Sequence, residues 1–227
     1  MDNRQISDFI LDHNNQYIVA IKPGGMPSVP DQSGDSNMKN LLEAYSKHDL
    51  HIITRTDRPV SGLLLFAKSR NAAHDLSAQI REGKITKTYL AIVEKLPDER
   101  KGELTHYLVK GRNNKSLIVD SAQKGAKKSI LTYEVVAELD NYSVLKIELK
   151  TGRFHQIRSQ LAHIGCHIKG DVKYGARRKN RDRSICLHAY EIAFDHPVTK
   201  ERKSYTALPD QTDTLWRAAL EAMEASD

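Results

Sequence analysis

The sequence predicts an α+β fold, in which a mixed and mostly antiparallel sheet is flanked by a few helices. Segments with the apolar or alternating pattern of strands outnumber those with helical periodicity. After Pro97 the strand segments follow one another through short turns, which is typical of hairpins. A doubly wound fold would instead alternate strands with helices, so we favour α+β over α/β.

In the first part of the chain, strand and helix signals are separated by turn residues. The first predicted strand is β-branched and apolar and stops at Pro23-Gly24-Gly25. The second helix should turn Ala73, Leu76 and Ile80 inward and end at Gly83. Strands are predicted at residues 16–22, 62–68 and 86–94, and helices at residues 38–46 and 70–82.

The second part of the chain contains a hairpin and two helices. Asp140-Asn141 is a two-residue turn between strands 130–139 and 142–149, and the second strand alternates apolar and charged residues. Helix 154–163 carries an apolar stripe and ends before Gly165. A strand at 203–208 and a helix at 212–225 follow. The inward positions are Ile157, Leu161 and Ile164 for the first helix. For the second they are Leu215, Ala219 and Met223.

Length and composition suit one domain spanning residues 1–227, with a core at about 10–208, or two small lobes sharing a core. Cys166 and Cys186 are too few for a disulfide framework and indicate free thiols in a reducing compartment. Residues 1–8 lack the apolar core of a signal peptide, and no segment approaches the ~20 apolar residues of a membrane span. We therefore expect a cytoplasmic protein.

The charge distribution favours a polyanionic partner. The formal net charge is +6 and the pI is about 9.2. Residues 110–128 hold six Lys or Arg side chains against one acid, and residues 169–183 hold seven against two. Such segments can neutralise phosphates, although either one alone is equally typical of a solvated surface loop.

The first candidate site is the segment 54–62, in which Asp57 lies between Arg55 and Arg58 and is followed by Pro59 and Gly62. A carboxylate beside cations stays ionised at neutral pH, as a nucleophile or general base requires. From this segment alone, an ordinary loop salt bridge is the more frequent explanation.

Two other segments carry candidate residues. In residues 150–165, Arg158 lies next to the predicted apolar stripe, so its guanidinium could reach inward to a carboxylate, although a helical arginine is usually a surface residue. In residues 87–93, Tyr89 could stack on a base or act through its hydroxyl, and it could equally be a core aromatic residue.

Together these segments resemble the RluA-type pseudouridine synthases. Residues 10–30 are similar to that family's opening segment ending in K-P-x-G, residues 54–62 to H-R-L-D-R-x-T-S-G, and residues 87–91 to K-x-Y-x-A. Residues 151–165 resemble T-G-R-x-H-Q-I-R-x-H-L-x-x-x-G, residues 169–175 resemble G-D-x-x-Y-G, and residues 187–197 resemble L-H-A … H-P. The six motifs occur in the family's order over most of the chain.

The resemblance implies a catalytic domain of the pseudouridine synthase fold, with two lobes around a catalytic cleft and no preceding RNA-binding domain. It implies conversion of uridine to pseudouridine in ribosomal or transfer RNA, by a monomer that needs no cofactor. Asp57 would be the catalytic acid residue, Arg158 its compensating cation, and Tyr89 the residue stacked on uracil. The residues expected to bind RNA are Arg55, Arg58, Arg153, His155, Gln156 and Lys169.

Three positions depart from the family pattern: Thr54 replaces His, Thr56 replaces Leu and Val60 replaces Thr. They motivate an alternative, a catalytically inactive RNA-binding protein on the same scaffold, whereas the retained Asp57 argues for activity. The basic charge alone would also suit a DNA-binding regulator, but the sequence has no helix-turn-helix element. We expect no metal, because His155 and His163 are eight residues apart and no Cys pair or H-E-x-x-H motif is present.

Overall fold

The computed structural model describes residues 5–225 and confirms the α+β class. Within these residues the four α-helices are α1 (Met38–Ser46), α2 (Arg70–Arg81), α3 (Gln156–His163) and α4 (Thr214–Glu224). The eleven strands are β1 (Ile10–His13), β2 (Tyr17–Lys22), β3 (His51–Ile52), β4 (Ser61–Ala67), β5 (Thr86–Val93), β6 (Lys101–Lys110), β7 (Ser116–Val119), β8 (Lys127–Leu139), β9 (Tyr142–Leu149), β10 (Leu187–Asp195) and β11 (Arg202–Thr206).

The chain divides into two compact units. The first contains the residues up to Lys87 together with His188–Leu208, and the second contains Thr88–Leu187 and the segment from Pro209 onward. The chain passes from one unit to the other within β5 and again at the start of β10. Each unit therefore combines segments that are distant in sequence.

In the first unit, the strand order is β1-β2-β4-β10, with β3 paired to β4 and β11 paired to β10. β4 lies in the middle and is buried from Gly62 to Ala67, as its continuous apolar sequence predicts. Its pairing with β10 is parallel, whereas its pairing with β2 is antiparallel. The core on one side of the sheet contains Ile18, Ala20, Met38, Leu42, Leu50, Leu64 and Phe66.

Two helix faces differ by about one residue from the sequence prediction. In α2, Leu76 is buried as expected, but Ile80 is 37% exposed and Gln79 is buried instead. The Gln79 amide donates to the carbonyl oxygen of Asp195 and accepts from its N–H, at 2.8 and 2.9 Å, so a buried polar contact sets the helix rotation. In α4, Ala219 is buried as predicted, whereas Trp216 is buried in place of Leu215 and Met223, which are only half-buried.

In the second unit, the strand order is β5-β9-β8-β6-β7, and the four pairings in this order are antiparallel. The pairing of Leu139 with Tyr142 confirms the two-residue turn. β9 alternates as predicted, with Leu145 and Ile147 buried and Lys146 exposed. Helix α4 contacts β8, and α3 contacts β6 and β7.

Helix α3 begins two residues later than predicted, because His155 has a φ of 50° and lies in the left-handed region. All residues from Gln156 to Leu161 are buried, although the sequence predicts only an apolar stripe. The helix therefore carries polar side chains into the interior, where each needs a partner.

Two further predictions concern the setting of the protein. Cys166 and Cys186 are free and buried, as predicted. Between residues 5 and 225, no helix combines the length and apolarity required to cross a bilayer. The prediction about residues 1–8 rests in part on residues 1–4, which lie outside the described residues.

Candidate active site

Asp57 lies in the first unit, in the loop that leads into β4. The Val60 N–H donates to the Asp57 carbonyl oxygen at 3.0 Å, so the backbone turns tightly after the carboxylate. Asp57 is half-buried and Val60 is buried. The carboxylate is thus carried on a short loop fixed at its end by the central strand of the sheet.

Lys22 holds this loop against the segment that follows β2. Its side chain is fully buried, and its ammonium donates to the carbonyl oxygens of Pro23, Met26 and Arg58 at 2.9, 2.8 and 3.2 Å. Burial lowers the pKa of Lys22 to about 7, the nearby Asp57 carboxylate acts in the opposite direction, and Arg58 lowers it further. Lys22 is a residue that the sequence patterns did not single out, although it stands in the K-P-x-G motif.

The three unusual residues of the loop are part of its packing. The Thr54 hydroxyl accepts a hydrogen bond from the Leu65 N–H at 3.0 Å, and Val60 is 2% exposed. The Ser28 hydroxyl donates to the Thr56 carbonyl oxygen and accepts from the Thr56 N–H. The buried Thr56 hydroxyl finds no partner among residues 5–225. These departures from the family pattern therefore leave the loop packed and bonded.

The two arginines beside Asp57 differ in their contacts. Arg58 donates to the Gly25 carbonyl oxygen at 2.9 Å and the Ser33 hydroxyl at 3.0 Å, and it pairs with Asp35. Arg55 is exposed and forms no ion pair within the described part of the chain. Arg58 therefore binds the neighbouring loop, whereas Arg55 has a guanidinium available to a ligand.

The strand end after Asp57 is fixed by a close contact between β4 and β10. A Cβ added at Gly62, whose φ is +108°, would lie 2.3 Å from the Ala189 carbonyl oxygen, so only glycine fits. Beside it, Ser61 Oγ and His188 Nδ1 are 2.8 Å apart. His188 Nε2 lies 2.9 Å from the Ala207 carbonyl oxygen, which makes Nε2 the donor and Nδ1 the acceptor of the Ser61 hydroxyl.

His188 should make stability fall in mild acid. Burial lowers its pKa to about 4, while its bond to the Ala207 carbonyl acts the other way and Lys22 lowers it further. Because the folded pKa lies below the usual 6.5, the unfolded chain binds a proton that the folded chain refuses between pH 6.5 and 4. This contribution to the free energy of unfolding is fully present above pH 6.5 and is lost as pH falls. The loss amounts to roughly 2 kcal/mol at pH 5.

Urea unfolding at several pH values between 4.5 and 7.5 tests this linkage. Between pH 5 and 6, the free energy of unfolding of His188→Gln should vary less steeply than that of the wild type, by about 1.4 kcal/mol per pH unit. The slope is the relevant quantity, since the substitution also lowers stability at every pH. His74→Gln, at an exposed position of α2, is the matched control. Equal slopes in wild type and His188→Gln would contradict the assignment.

In the second unit, Tyr89 lies in β5 opposite Ile147 and is 8% exposed. Its burial agrees with both interpretations given above, a core aromatic residue and a ring that stacks on a base with one face. The strand fixes the position of the ring, because β5 is paired with β9 along six residues, from Thr88 to Val93.

Arg158 is buried in α3, where it forms a bidentate ion pair with Asp171. Its Nε lies 2.7 Å from Oδ2 of Asp171, and another guanidinium nitrogen lies 2.8 Å from Oδ1. The side chains are 5% and 2% exposed. The guanidinium carbon also lies 5.0 Å from the centroid of the Tyr174 ring. This geometry fixes the plane of the guanidinium.

His155 and Tyr174 extend this cluster. His155 Nδ1 and the Tyr174 hydroxyl are 2.9 Å apart, and the hydroxyl accepts from the Ser116 N–H at 2.7 Å. Burial, together with the nearby Arg158 and Lys173, lowers the pKa of His155 to about 3, although Asp171 acts the other way. At neutral pH the imidazole is uncharged and can offer only hydrogen bonds.

The remaining predicted RNA contacts also belong to the second unit. The Gln156 amide is 3% exposed and fully engaged: it accepts from the Thr151 hydroxyl and the Arg153 N–H and donates to the Ile130 carbonyl oxygen. Arg153 is exposed. The Lys169 ammonium donates to Asn180 Oδ1. Gln156 therefore shapes the segment before α3, whereas Arg153 is accessible to a ligand.

Among residues 5–225, no group of three or more His, Cys, Asp and Glu side chains is arranged to hold a metal ion. The candidate pair named above, His155 and His163, is divided by its contacts: His155 stacks on Phe154, and His163 lies edge-on to His106.

Comparison with solved structures defines the class of protein. The structure of human RNA pseudouridylate synthase domain containing 1 matches with a TM-score of 0.78 at 21% identity, covering 96% of this chain and 90% of that one. The fold is therefore that of a pseudouridine synthase domain.

Comparison of sequences identifies the family. A family model described as RNA pseudouridylate synthase matches residues 16–163. The dual-specificity RNA pseudouridine synthase RluA of Pasteurella multocida is 34% identical over 88% of this chain and 92% of its own length. The tRNA pseudouridine synthase C of Haemophilus ducreyi is 34% identical over 89% and 91%. The chain belongs to the RNA pseudouridylate synthase family and is an RNA pseudouridine synthase, an isomerase.

Proposed function

We propose that this enzyme isomerises specific uridines in ribosomal RNA, transfer RNA or both, with Asp57 as the catalytic residue. The observation that carries the proposal is the placement of Asp57 on a fixed loop. Buried Lys22 donates a hydrogen bond to the Arg58 carbonyl oxygen of this loop, and the loop ends at Gly62 in the central strand. A carboxylate on a fixed loop is what covalent or general-base chemistry on a bound nucleotide requires.

The reaction breaks the bond between N1 of uracil and C1′ of the ribose, turns the base, and forms a bond from C5 to C1′. The hydrogen on C5 leaves and N1 gains a proton, so the product is an isomer and no redox partner or group donor is consumed. Asp57 would act in one of two ways: it adds to C1′, or it removes a 2′ proton to give a glycal. Both need an ionised carboxylate.

Arg158 and Tyr89 complete the proposed catalytic set. In this proposal Arg158 supplies the positive charge that keeps Asp57 ionised, and its bidentate bond to Asp171 supports that role by fixing the guanidinium. Tyr89 stacks on the uracil and takes part in removing the C5 proton. Its position on a strand paired along its length supports a fixed ring.

RNA binding requires the target nucleotide to leave its stack, which costs a few kcal/mol. We assign the space left by the flipped base to Arg55, because its guanidinium is exposed and forms no ion pair with a described residue. Arg153 and Lys169 would contact phosphates, and His155, as a neutral imidazole, would offer hydrogen bonds. Arg58 and Gln156 would act mainly by shaping the loops that meet the RNA.

The proposal also covers the setting of the enzyme. It treats both units as one catalytic domain, working as a monomer without a cofactor in the cytoplasm. The two buried free thiols, Cys166 and Cys186, support a reducing compartment.

Tritium release tests the proposal directly. The substrate is bulk ribosomal and transfer RNA, labelled with [5-³H]uridine in a strain that lacks this protein. Purified enzyme should release tritium from one or both fractions, and the modified positions should be those absent from the deletion strain. No release from either fraction, with no pseudouridine missing in that strain, would overturn the proposal.

A further inference from the structure

An open groove of about 1280 Å³ lies on the second unit, built entirely from residues of that unit. One part of its lining is residues 177–182 with Lys169 and Cys186. The rest comes from residues 94–96, the turn between β8 and β9, and the start of α4. We call residues 177–181, Arg-Arg-Lys-Asn-Arg, the basic loop.

The basic loop offers positive charge that the protein itself does not neutralise. Its four cations are exposed, and none forms an ion pair within residues 5–225: Arg177, Arg178, Lys179 and Arg181. Some other exposed cations of this unit do pair with a neighbouring acid, as Lys101 does with Glu134 and Lys150 with Glu148.

Most acids that line the groove are engaged in other bonds. The Glu94 carboxylate accepts from the Arg177 N–H at 3.1 and 3.2 Å, and Asp182 accepts from the N–H and hydroxyl of Ser184. Asp213 caps helix α4. Glu138 forms an ion pair with Arg100, which does not line the groove. Among the described residues, the carboxylate of Asp140, in the turn, forms no hydrogen bond or ion pair. The groove lining holds six lysines and arginines against five acids, and four of the six cations lie together in the basic loop.

Asn180 anchors the loop. Its side-chain oxygen accepts from the Lys169 ammonium at 2.5 Å, and its amide nitrogen donates to Ser184 Oγ and Cys186 Sγ at 3.4 and 3.7 Å. Gly170 leaves room for it, since a Cβ there would lie 2.8 Å from the Asn180 amide. The loop that carries the four cations is thus anchored at Asn180. This anchoring lowers the conformational entropy that the loop would lose on binding a ligand.

We propose that this groove binds the phosphodiester backbone of the substrate RNA, outside the reacting nucleotide, and so contributes to substrate selection. The inference rests on the proposed function, because it takes RNA as the ligand. Three of the four cations are arginines, whose planar guanidinium binds phosphate oxygens in pairs. Four exposed cations that form no ion pair with the residues from 5 to 225 match a polyanion, whose bound counterions they release.

The test removes the four charges and compares the result with an equal loss elsewhere. The loop variant is Arg177→Gln, Arg178→Gln, Lys179→Gln and Arg181→Gln. The control variant is Lys84→Gln, Lys101→Gln, Lys150→Gln and Lys203→Gln, four lysines that each pair with a nearby glutamate. Either variant lowers the formal net charge from +6 by four, to +2.

In the loop variant, KM for labelled bulk RNA should rise at least about tenfold at 0.1 M salt, with the loss in KM rather than kcat. The slope of log KM against log salt should become shallower by about 3, since four phosphate contacts are lost and each contributes roughly 0.7 to 0.9. Asn180→Ala keeps all four charges and loosens the anchor, so its KM should rise a few-fold with the slope unchanged.

Direct binding separates this inference from the chemistry. Fluorescence anisotropy with labelled, unmodified bulk transfer RNA and ribosomal RNA, in an Asp57→Asn background, reports the groove without turnover. An equal loss of affinity in the loop and control variants would mean that only net charge matters and would overturn the proposal. The proposal would also be overturned if the loop variant bound RNA as tightly as the wild type. That outcome includes the case in which the loop binds an acidic protein instead.

Discussion

Asp57→Asn should lower pseudouridine formation by about 1,000-fold or more while leaving RNA binding within a factor of a few. The amide matches the carboxylate in size but can neither add to C1′ nor accept a proton. The loop should keep its shape, because Lys22 bonds the carbonyl oxygens of Pro23, Met26 and Arg58, which are main-chain groups. Tritium release measures the turnover, and anisotropy measures the binding.

The matched control is Asp49→Asn, the same chemical change at an exposed acid before β3. It should retain wild-type turnover and melting temperature. If Asp57→Asn keeps a tenth or more of wild-type kcat, Asp57 is not the catalytic residue. If its melting temperature falls steeply as well, the loss of turnover reflects the fold, and circular dichroism at the assay temperature distinguishes that case.

Asp171→Asn should both destabilise the protein and slow the reaction. It removes the carboxylate that binds Arg158 through two guanidinium nitrogens, in a pair only 5% and 2% exposed. Breaking one partner of a buried ion pair typically costs about 3 to 5 kcal/mol. Since the same bonds fix the guanidinium that the proposal assigns to the Asp57 site, kcat should fall as well. Urea unfolding and tritium release are the two measurements.

Glu134→Gln is the comparison for the stability measurement, because it breaks an exposed pair with Lys101, whose side chain is 72% exposed. Exposed pairs contribute at most about 1 kcal/mol. The double variant Arg158→Met with Asp171→Leu should be less destabilised than the sum of its single changes, since neither buried charge then remains. Equal losses for Asp171→Asn and Glu134→Gln would show that the buried pair contributes no more than a surface one.

Much of the fold could be predicted from local sequence patterns. The hairpin around Asp140-Asn141, the buried strand after Asp57 and the four helices follow from periodicity and turn residues. Helix rotation could not be predicted this way, as the exposed Ile80 and buried Gln79 of α2 illustrate. Gln79 turns inward because the backbone of Asp195, 116 residues away, offers it two hydrogen bonds, and no local pattern contains that partner.

The candidate residues of the site could be proposed from the sequence, whereas the residues that hold them in place could not. Motif resemblance pointed to Asp57, Tyr89 and Arg158. It assigned no role to Lys22, Asp171 or His188, although each stands inside a quoted motif. A lysine at the end of an apolar strand and an acid among basic residues 169–183 were the available signals. Burial decides what such residues do, and burial depends on contacts between distant segments.

The contact between Gly62 and Ala189 has a consequence for the nascent chain. Ser61 and its partner His188 are 127 residues apart, so this part of the loop's support forms only after β10 has been made. During synthesis, β10 leaves the ribosome after Thr88–Leu187, the larger segment of the second unit, and long-range parallel pairing forms slowly. A partly made chain can therefore pair β4 with β2 and bond Lys22 to the loop, but it lacks the contact with β10 at Gly62. The last support of the loop that carries Asp57 is thus added late, when most of the polypeptide has been made.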